Sequence, residues 1–300
     1  MRAALPGPRT NSGSSGAVPG GLDIRYRLQP HLTGHALPTE TSTRSLAVTD
    51  FFSPWCDPAT DELVGKHTSR VLVSNDDAVG INAVVALMPG AYAEKENLKR
   101  IAKRHGKKGV AKLLSSKVPK TKTGRSGDMG EILGAVYVQS TMGYTTGPSR
   151  LIERDHQEWA MRGDDVLGAR LNGQKLELVK VEAKSRIMAM KADVTEAREG
   201  LLRNGDLASS HSLTQFAERL LKADETLSDA VNDLLQNDGL RPGQFAHVMF
   251  IFAGNHPITH IRDDLNAYMG KVAQTTVTVR VGAHQDFIRE SYDTAVTNAP

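Results

Sequence analysis

The chain has 300 residues, a formal net charge of +3 and a single cysteine, Cys56. This length is sufficient for one large domain or two small ones with a buried core. One cysteine excludes an internal disulfide and a zinc knuckle, and the sequence has no run of about 18 apolar residues that would span a membrane. We therefore expect a cytoplasmic protein without a membrane segment.

Residues 1–45 differ in composition from the rest of the chain. The stretch up to residue 21 is rich in Gly, Pro, Ser and Ala, and no periodic pattern begins before Leu46. This composition predicts a disordered or poorly ordered leader, and the absence of a long apolar core excludes a secretory signal. We divide the remainder into an N-terminal subdomain with a basic region at 46–125 and a second unit at 126–300.

Hydrophobic periodicity predicts alternating strands and helices beyond the leader. The first half is predicted to contain strand or core segments at 70–73 and 84–87, a basic helix at 94–115 interrupted at 105–106, a loop at 117–127 and a helix at 128–140. A loop or short helix at 151–159 and a hairpin at 165–184 follow. The last part is predicted to contain helices at 189–203 and within 212–235, strands at 245–252 and 275–281, and a helix at 286–294. The nearly continuous apolar run at 245–252 is typical of a central strand covered on both faces. The pattern predicts an α/β fold with a central mixed sheet flanked by helices.

The positive charge is concentrated between residues 95 and 125. Twelve basic residues lie in this span, and Glu96 is its only acidic residue. Charge runs are usually solvated helix faces, but this imbalance favours a surface that follows a phosphate backbone. The candidate nucleic-acid-binding residues are Lys103, Arg104, Lys107, Lys108, Lys112, Lys120 and Lys122.

The dipeptide Asn172-Gly173 between two apolar runs predicts a β-hairpin. With this dipeptide as the loop, Asp165 faces Lys180 and Gly163 faces Glu182. Side chains alternate between the two faces of a strand. The hairpin therefore brings the end of the second strand beside the acidic start of the first.

This register predicts which acidic residues share a face. Glu182, Lys184 and Asp165 lie on one face, and Asp164 points to the other. Asp165 and Glu182 become diagonal neighbours within reach of a shared ion. The choice of Asp165 depends on the register, because one extra loop residue would exchange the faces and favour Asp164.

Each of these residues also has a structural interpretation. A Glu-x-Lys triplet occurs by chance in many proteins, so Glu182 and Lys184 could be the solvated face of a half-buried strand. Asp164 and Asp165 could be turn residues before a strand. Glu131, at the start of the helix predicted from Asp128, could complete a capping box or join an acidic cluster.

Taken together, three segments resemble the PD-(D/E)xK nuclease superfamily. They are Gly-Glu-Ile-Leu at 130–133, Arg-Gly-Asp-Asp-Val-Leu-Gly at 162–168 and Val-Glu-Ala-Lys-Ser-Arg at 181–186. More narrowly, they resemble the HamA family of the Hachiman anti-phage defence system, over roughly residues 71–296. Gly163 stands where the superfamily usually has a proline. The resemblance implies a restriction-endonuclease-like core at 126–300, with Glu131, Asp165, Glu182 and Lys184 as the site and Asp164 as an uncertain neighbour.

The resemblance also implies a chemistry and a partner. Asp165 and Glu182, with Glu131, are expected to hold Mg²⁺ or Mn²⁺, and Lys184 to orient a water or stabilise a developing negative charge. The expected substrate is DNA, cleaved with little sequence preference. A partner helicase is expected to load or restrain the nuclease, since the chain lacks the phosphate-binding motif of an ATPase. The alternative is a non-catalytic, nucleic-acid-binding regulatory subunit.

Overall fold

The structure is a computed structural model that describes residues 50–154, 156–158 and 163–298. The leader predicted at 1–45 lies outside the described residues. Within the described part, the strands are β1 (Thr60–Val64), β2 (His67–Val73), β3 (Val166–Asn172), β4 (Lys175–Arg186), β5 (Phe245–Ala253) and β6 (Ala273–Arg280). The α-helices are α1 (Asp77–Tyr92), α2 (Lys95–Lys117), α3 (Lys122–Ser140), α4 (Lys191–Asp206), α5 (Ser210–Leu221), α6 (Glu225–Asp233), α7 (Ile258–Ala267) and α8 (His284–Thr297).

The six strands form one mixed sheet in the order β1-β2-β6-β5-β4-β3. The two edge pairs, β1–β2 and β3–β4, are antiparallel, and the three inner pairs are parallel. β5 is central and is buried along almost its whole length. A strand covered on both faces needs apolar residues at consecutive positions, as the run 245–252 predicts. The predicted α/β fold with a central mixed sheet is confirmed.

Helices cover both faces of the sheet. Phe250 and Phe252 of β5 pack with α1, α2, α3 and α8 in the largest apolar cluster. Met249 and Ile251 point to the opposite face and pack with α4 and α7. A third cluster joins α5 and α6 to β3 and β4. None of the helices within the described ranges is long and apolar enough to cross a membrane.

One predicted element in the N-terminal half is wrong, and another is decided between its two alternatives. The strand or core segment predicted at 84–87 is part of the core, where Val84 is fully buried, but it lies in helix α1, which Asp76 caps by accepting hydrogen bonds from the amides of Ala78 and Val79. A short apolar run does not distinguish a strand from a buried helix. Most of the loop predicted at 117–127 is also helical, since α3 already begins at Lys122.

The basic helix bends where the sequence predicts. Gly106 has a φ of 60° and a ψ of −165° inside α2, so two helical segments meet there. A glycine adopts this backbone conformation with little steric cost. The described residues form one compact unit, and the division at residue 125 stays a prediction.

Candidate active site

The hairpin of β3 and β4 carries the predicted motif in a different register. Asn172 pairs with Lys175, so the loop is Gly173-Gln174, and the predicted Asn172-Gly173 loop is wrong. The observed register places Arg170 opposite Glu177, and the two side chains form an ion pair of 2.8 Å. Such cross-strand pairs stabilise one register over another. The change pairs Val166, the first residue of β3, with Val181 instead of Val179.

Asp164 does not point away from the face of β4 that carries Glu182. Gly163, with a φ of 100°, turns the chain just before β3. This turn lets Asp164 Oδ1 lie 3.1 Å from Nζ of Lys180, whose side chain is fully buried. Lys180 also donates hydrogen bonds to the carbonyls at the end of α4, those of Leu201, Arg203 and Leu207. The predicted orientation of Asp164 is therefore wrong, and its carboxylate belongs to a structural ion pair. The predicted shared face of Asp165 and Glu182 is also wrong, because Asp165 bonds to Arg150 on the side of α3, and α3 packs against the face of β4 that carries Ala183 and Ser185.

Glu182 and Lys184 share the face of β4 that packs against α4, as the alternation predicts. Lys184 Nζ donates hydrogen bonds to Glu182 Oε1 at 3.1 Å and to Glu196 Oε1 at 3.0 Å. Arg203 lies 3.6 Å from the same Glu182 oxygen. A Cβ atom at Gly200 would lie 2.2 Å from the Glu182 carboxyl carbon, so a glycine is required for this close approach.

The environment of this pair changes its proton affinities. Burial raises the pKa of Glu182 to about 6, the negative charge of Asp165 adds to the rise, and Lys184 opposes it. Burial lowers the pKa of Lys184, but the charges of Glu182 and Glu196 outweigh burial and leave the pKa raised. Lys184 is therefore a permanent cation at neutral pH.

Glu131 and Asp165 are joined by an arginine. Arg150 donates from Nε and Nη2 to the two carboxylate oxygens of Glu131, each at 2.8 Å. The same Nη2 donates to Asp165 Oδ1 at 3.0 Å. The other Asp165 oxygen accepts the amide hydrogen of Ala183 on β4 at 2.9 Å. Burial raises the pKa of Glu131 to about 7, although the charge of Arg150 opposes the rise.

The capping interpretation of Glu131 is wrong. α3 begins at Lys122, and its cap is Thr121, whose hydroxyl accepts from the amide of Gly124. Asp128 therefore lies inside the helix, where its buried carboxylate accepts a hydrogen bond from Tyr92 Oη at 2.6 Å. The other oxygen of this carboxylate pairs with a separate arginine of the loop before β3.

The acidic residues fit a divalent cation only in part. The negative charge of Asp165 raises the pKa of Glu182, because the two carboxylates repel each other. A divalent cation bound to both would relieve this repulsion. Glu131 is engaged by Arg150 instead. Among the residues that the structure describes, no group of three or more Asp, Glu, His or Cys side chains could hold a metal ion. Asp165 is bonded to the same arginine and Glu182 to Lys184, so a cation between Asp165 and Glu182 would have to compete with these ion pairs.

A groove of about 820 Å³ adjoins these residues on the α3 side. Glu131, Arg186 and Lys122 are among its lining residues. All seven predicted nucleic-acid-binding residues are exposed. Lys122 lies in this groove and Lys120 lines a neighbouring depression, whereas the other five project from α2. The structure thus brings two of the seven to the vicinity of the acidic residues.

Sequence reasoning missed three charged residues of the site. Glu196 and Arg203 lie on the face of α4 turned to β4, together with Asp193 and Gly200. Their spacing of three, four and three residues is a helical periodicity that could have revealed them. Arg150 lies in a short 3₁₀ helix outside any periodic segment. No pattern in the sequence connects it to the acidic residues.

The comparison with protein families is decisive for this chain. The family model described as HamA matches residues 49–295. The chain belongs to the HamA family. Membership in the HamA family links it to Hachiman anti-phage defence. A search of curated proteins found no match.

Proposed function

We propose that this HamA-family chain is a divalent-metal-dependent nuclease that cleaves DNA with little sequence preference. The observation that carries the proposal is the position of Asp165, just before β3, whose carboxylate accepts the amide hydrogen of Ala183 at 2.9 Å, between Glu182 and Lys184 on β4. Two carboxylates and a lysine at adjacent strand ends are the side chains that metal-assisted phosphodiester hydrolysis requires. The resemblance to PD-(D/E)xK nucleases, stated above on the same residues, supports this assignment.

The chain's own side chains have separate roles in the proposed reaction. Asp165 and Glu182 would hold the cation, which supplies an activated water and neutralises charge on the phosphate. Lys184 is fixed by Glu182 and Glu196, so its ammonium can stabilise negative charge that develops on the phosphate. Fixed hydrogen bonds limit the reorganisation that this stabilisation requires.

Cleavage of supercoiled plasmid DNA tests the proposal directly. The purified chain is incubated with Mg²⁺ or Mn²⁺, alone and together with the helicase that the family resemblance implies. Nicked and linear products that require the metal support a nuclease. The second arm is necessary because a partner that restrains the enzyme would hide its activity in the complex.

A non-catalytic, nucleic-acid-binding subunit is the second candidate function. The observation that favours it is Arg150, which neutralises Glu131 and Asp165 within one guanidinium cluster. Ion pairs of this kind can have a purely structural role, here in holding the short 3₁₀ helix of Arg150 against α3 and the start of the hairpin. Intact plasmid in both arms of the cleavage assay, with DNA binding retained, would support this candidate and contradict the nuclease.

The basic part of α2 is expected to bind the DNA backbone. Replacing Lys107, Lys108 and Lys112 by glutamine should weaken binding to all sequences and reduce the slope of log affinity against log salt by up to about 3, because each phosphate contact contributes about 0.9. A salt titration followed by fluorescence anisotropy measures the slope.

The matched control removes three exposed lysines elsewhere, Lys66, Lys175 and Lys271, so that net charge falls equally. This control variant is expected to keep the slope of the unmodified chain. Equal slopes for both triple variants would show that the basic face of α2 is only a solvated surface.

A further inference from the structure

A cavity of about 260 Å³ lies beside the acidic residues, lined by α1, α3 and the loop that leads to Arg150. It shares Glu131 and Asp165 with the candidate active site and extends to Arg219, near the end of α5. Most of its wall is apolar, and α1 and α3 contribute Leu87, Ala91, Ile132, Ala135 and Val136. A mostly apolar cavity with a few charged groups is the usual composition of a ligand site.

Arg219 is a cation without a counter-ion in this cavity. Its guanidinium is half-buried and forms no hydrogen bond or ion pair with a described residue. Burial lowers the pKa of Arg219, and the exposed Glu153, which opposes this most strongly, forms no ion pair with it. Partly buried charges are normally paired. An anionic group of a ligand would complete this site.

The other polar groups around the cavity already have partners. Gln139 donates a hydrogen bond to Thr146 Oγ1, and Ser149 Oγ accepts from the amide of Leu151. Arg150 is bound to Glu131 and Asp165. Arg219 is therefore the cation left to recognise a ligand, and a guanidinium suits the two oxygens of a phosphate.

We propose that this cavity binds one nucleoside phosphate unit with an unpaired base, the phosphate on Arg219 and the base against the apolar wall of α1 and α3. This inference rests on the proposed nuclease function. Glu131 and Asp165 belong both to the cavity and to the candidate active site, so a unit bound in the cavity would lie beside the phosphodiester to be cleaved. Apolar side chains commonly enclose a base that has left the stack. The nuclease would then require a strand that is single-stranded or locally unpaired.

The phosphate contact is tested by replacing Arg219 with glutamine. Binding of a fluorescent oligo-dT strand is measured by anisotropy in EDTA, so that cleavage plays no part. We expect affinity to fall about tenfold and the salt slope to fall by about 0.7, the contribution of one single-strand phosphate contact. The control, Lys222→Gln, removes an equal charge next to α5 at a residue paired with Glu94, outside the cavity. An Arg219→Gln variant with unchanged affinity and slope would overturn the inference.

The base contact is tested by filling the cavity with Ala135→Phe. This variant should lose affinity for oligo-dT and keep its affinity for an oligomer of abasic residues, which has phosphates but no bases. Unchanged binding of oligo-dT would overturn the inference. Competition by free thymidine monophosphate shows whether the cavity binds a free nucleotide or only a nucleotide unit within a strand. If the inference holds, either kind of binding depends on Arg219. Thermal unfolding confirms that each variant is folded.

The binding assay separates this inference from the proposed function. Binding that depends on Arg219 in a chain that cuts no plasmid would leave the cavity assignment intact and remove the nuclease. Metal-dependent cleavage, together with oligo-dT binding that neither Arg219→Gln nor Ala135→Phe changes, would support the nuclease and remove the cavity assignment.

Discussion

Replacing Glu182 by glutamine is expected to reduce metal-dependent cleavage by about three orders of magnitude. A bound cation contributes several kcal/mol of charge stabilisation, and each ~1.4 kcal/mol corresponds to a tenfold change in rate. Glutamine keeps the shape that packs against Gly200 but carries no charge for a cation. Single-turnover cleavage of a labelled DNA fragment measures the rate, and calorimetric titration with Mn²⁺ measures the lost metal affinity.

The matched control for this experiment is Glu177→Gln on the same strand. Glu177 pairs with Arg170 across the hairpin and lies outside the acidic cluster. The control should cleave at nearly the rate of the unmodified chain. Equal rates for Glu182→Gln and Glu177→Gln would exclude Glu182 from the site, and full activity of Lys184→Met would likewise remove the proposed role of that lysine.

The central strand of the sheet was predictable because its sequence signal is long and continuous. The run 245–252 is apolar at consecutive positions, and the structure places it as central β5. The end of α4 was predictable for a local reason. Asn204 and Gly205 adopt positive φ values, and the helix loses its regular geometry there, which agrees with the predicted end of this helix at residue 203.

The hairpin register was not predictable from its turn residues alone. Asn172-Gly173 is a strong turn signal, yet the register that pairs Arg170 with Glu177 and Leu171 with Leu176 prevails. These cross-strand pairs depend on both strands at once, so inspection of the loop does not reveal them. The register differs from the predicted one by two residues, which keeps each side chain on its face. The turn at Gly163 is what directs Asp164 to Lys180 and Asp165 to Arg150.

The partners of Glu131 could not be read from local sequence for a different reason. A Glu three residues after an Asp resembles a capping box, but a cap requires the helix to begin there, and α3 begins six residues earlier. Arg150 reaches Glu131 from a segment without helical or strand periodicity. Long-range ion pairs of this kind depend on the tertiary fold, which local patterns do not encode.

Replacing Lys180 by methionine is expected to lower the free energy of unfolding by about 3–5 kcal/mol, the usual cost of removing one partner of a buried ion pair. The Asp164 side chain is only 7% exposed, and its Oδ2 atom already lacks a hydrogen-bond partner among the described residues. Without Lys180 its other oxygen would also be unpaired. The carbonyls at the end of α4 would lose the ammonium that holds them. Urea unfolding, analysed at constant m-value, measures the change.

Two further variants separate the ion pair from a general effect of the substitution. Lys175→Met changes an exposed lysine of the same strand and should alter stability by less than about 0.5 kcal/mol. The double variant Lys180→Met with Asp164→Leu should recover much of the loss, because replacing both partners by apolar residues leaves no buried charge. A Lys180→Met variant as stable as Lys175→Met would contradict the buried ion pair. Since Lys180 holds the backbone next to Arg203, its loss is also expected to move Arg203 away from Glu182, which couples this structural pair to the proposed active site.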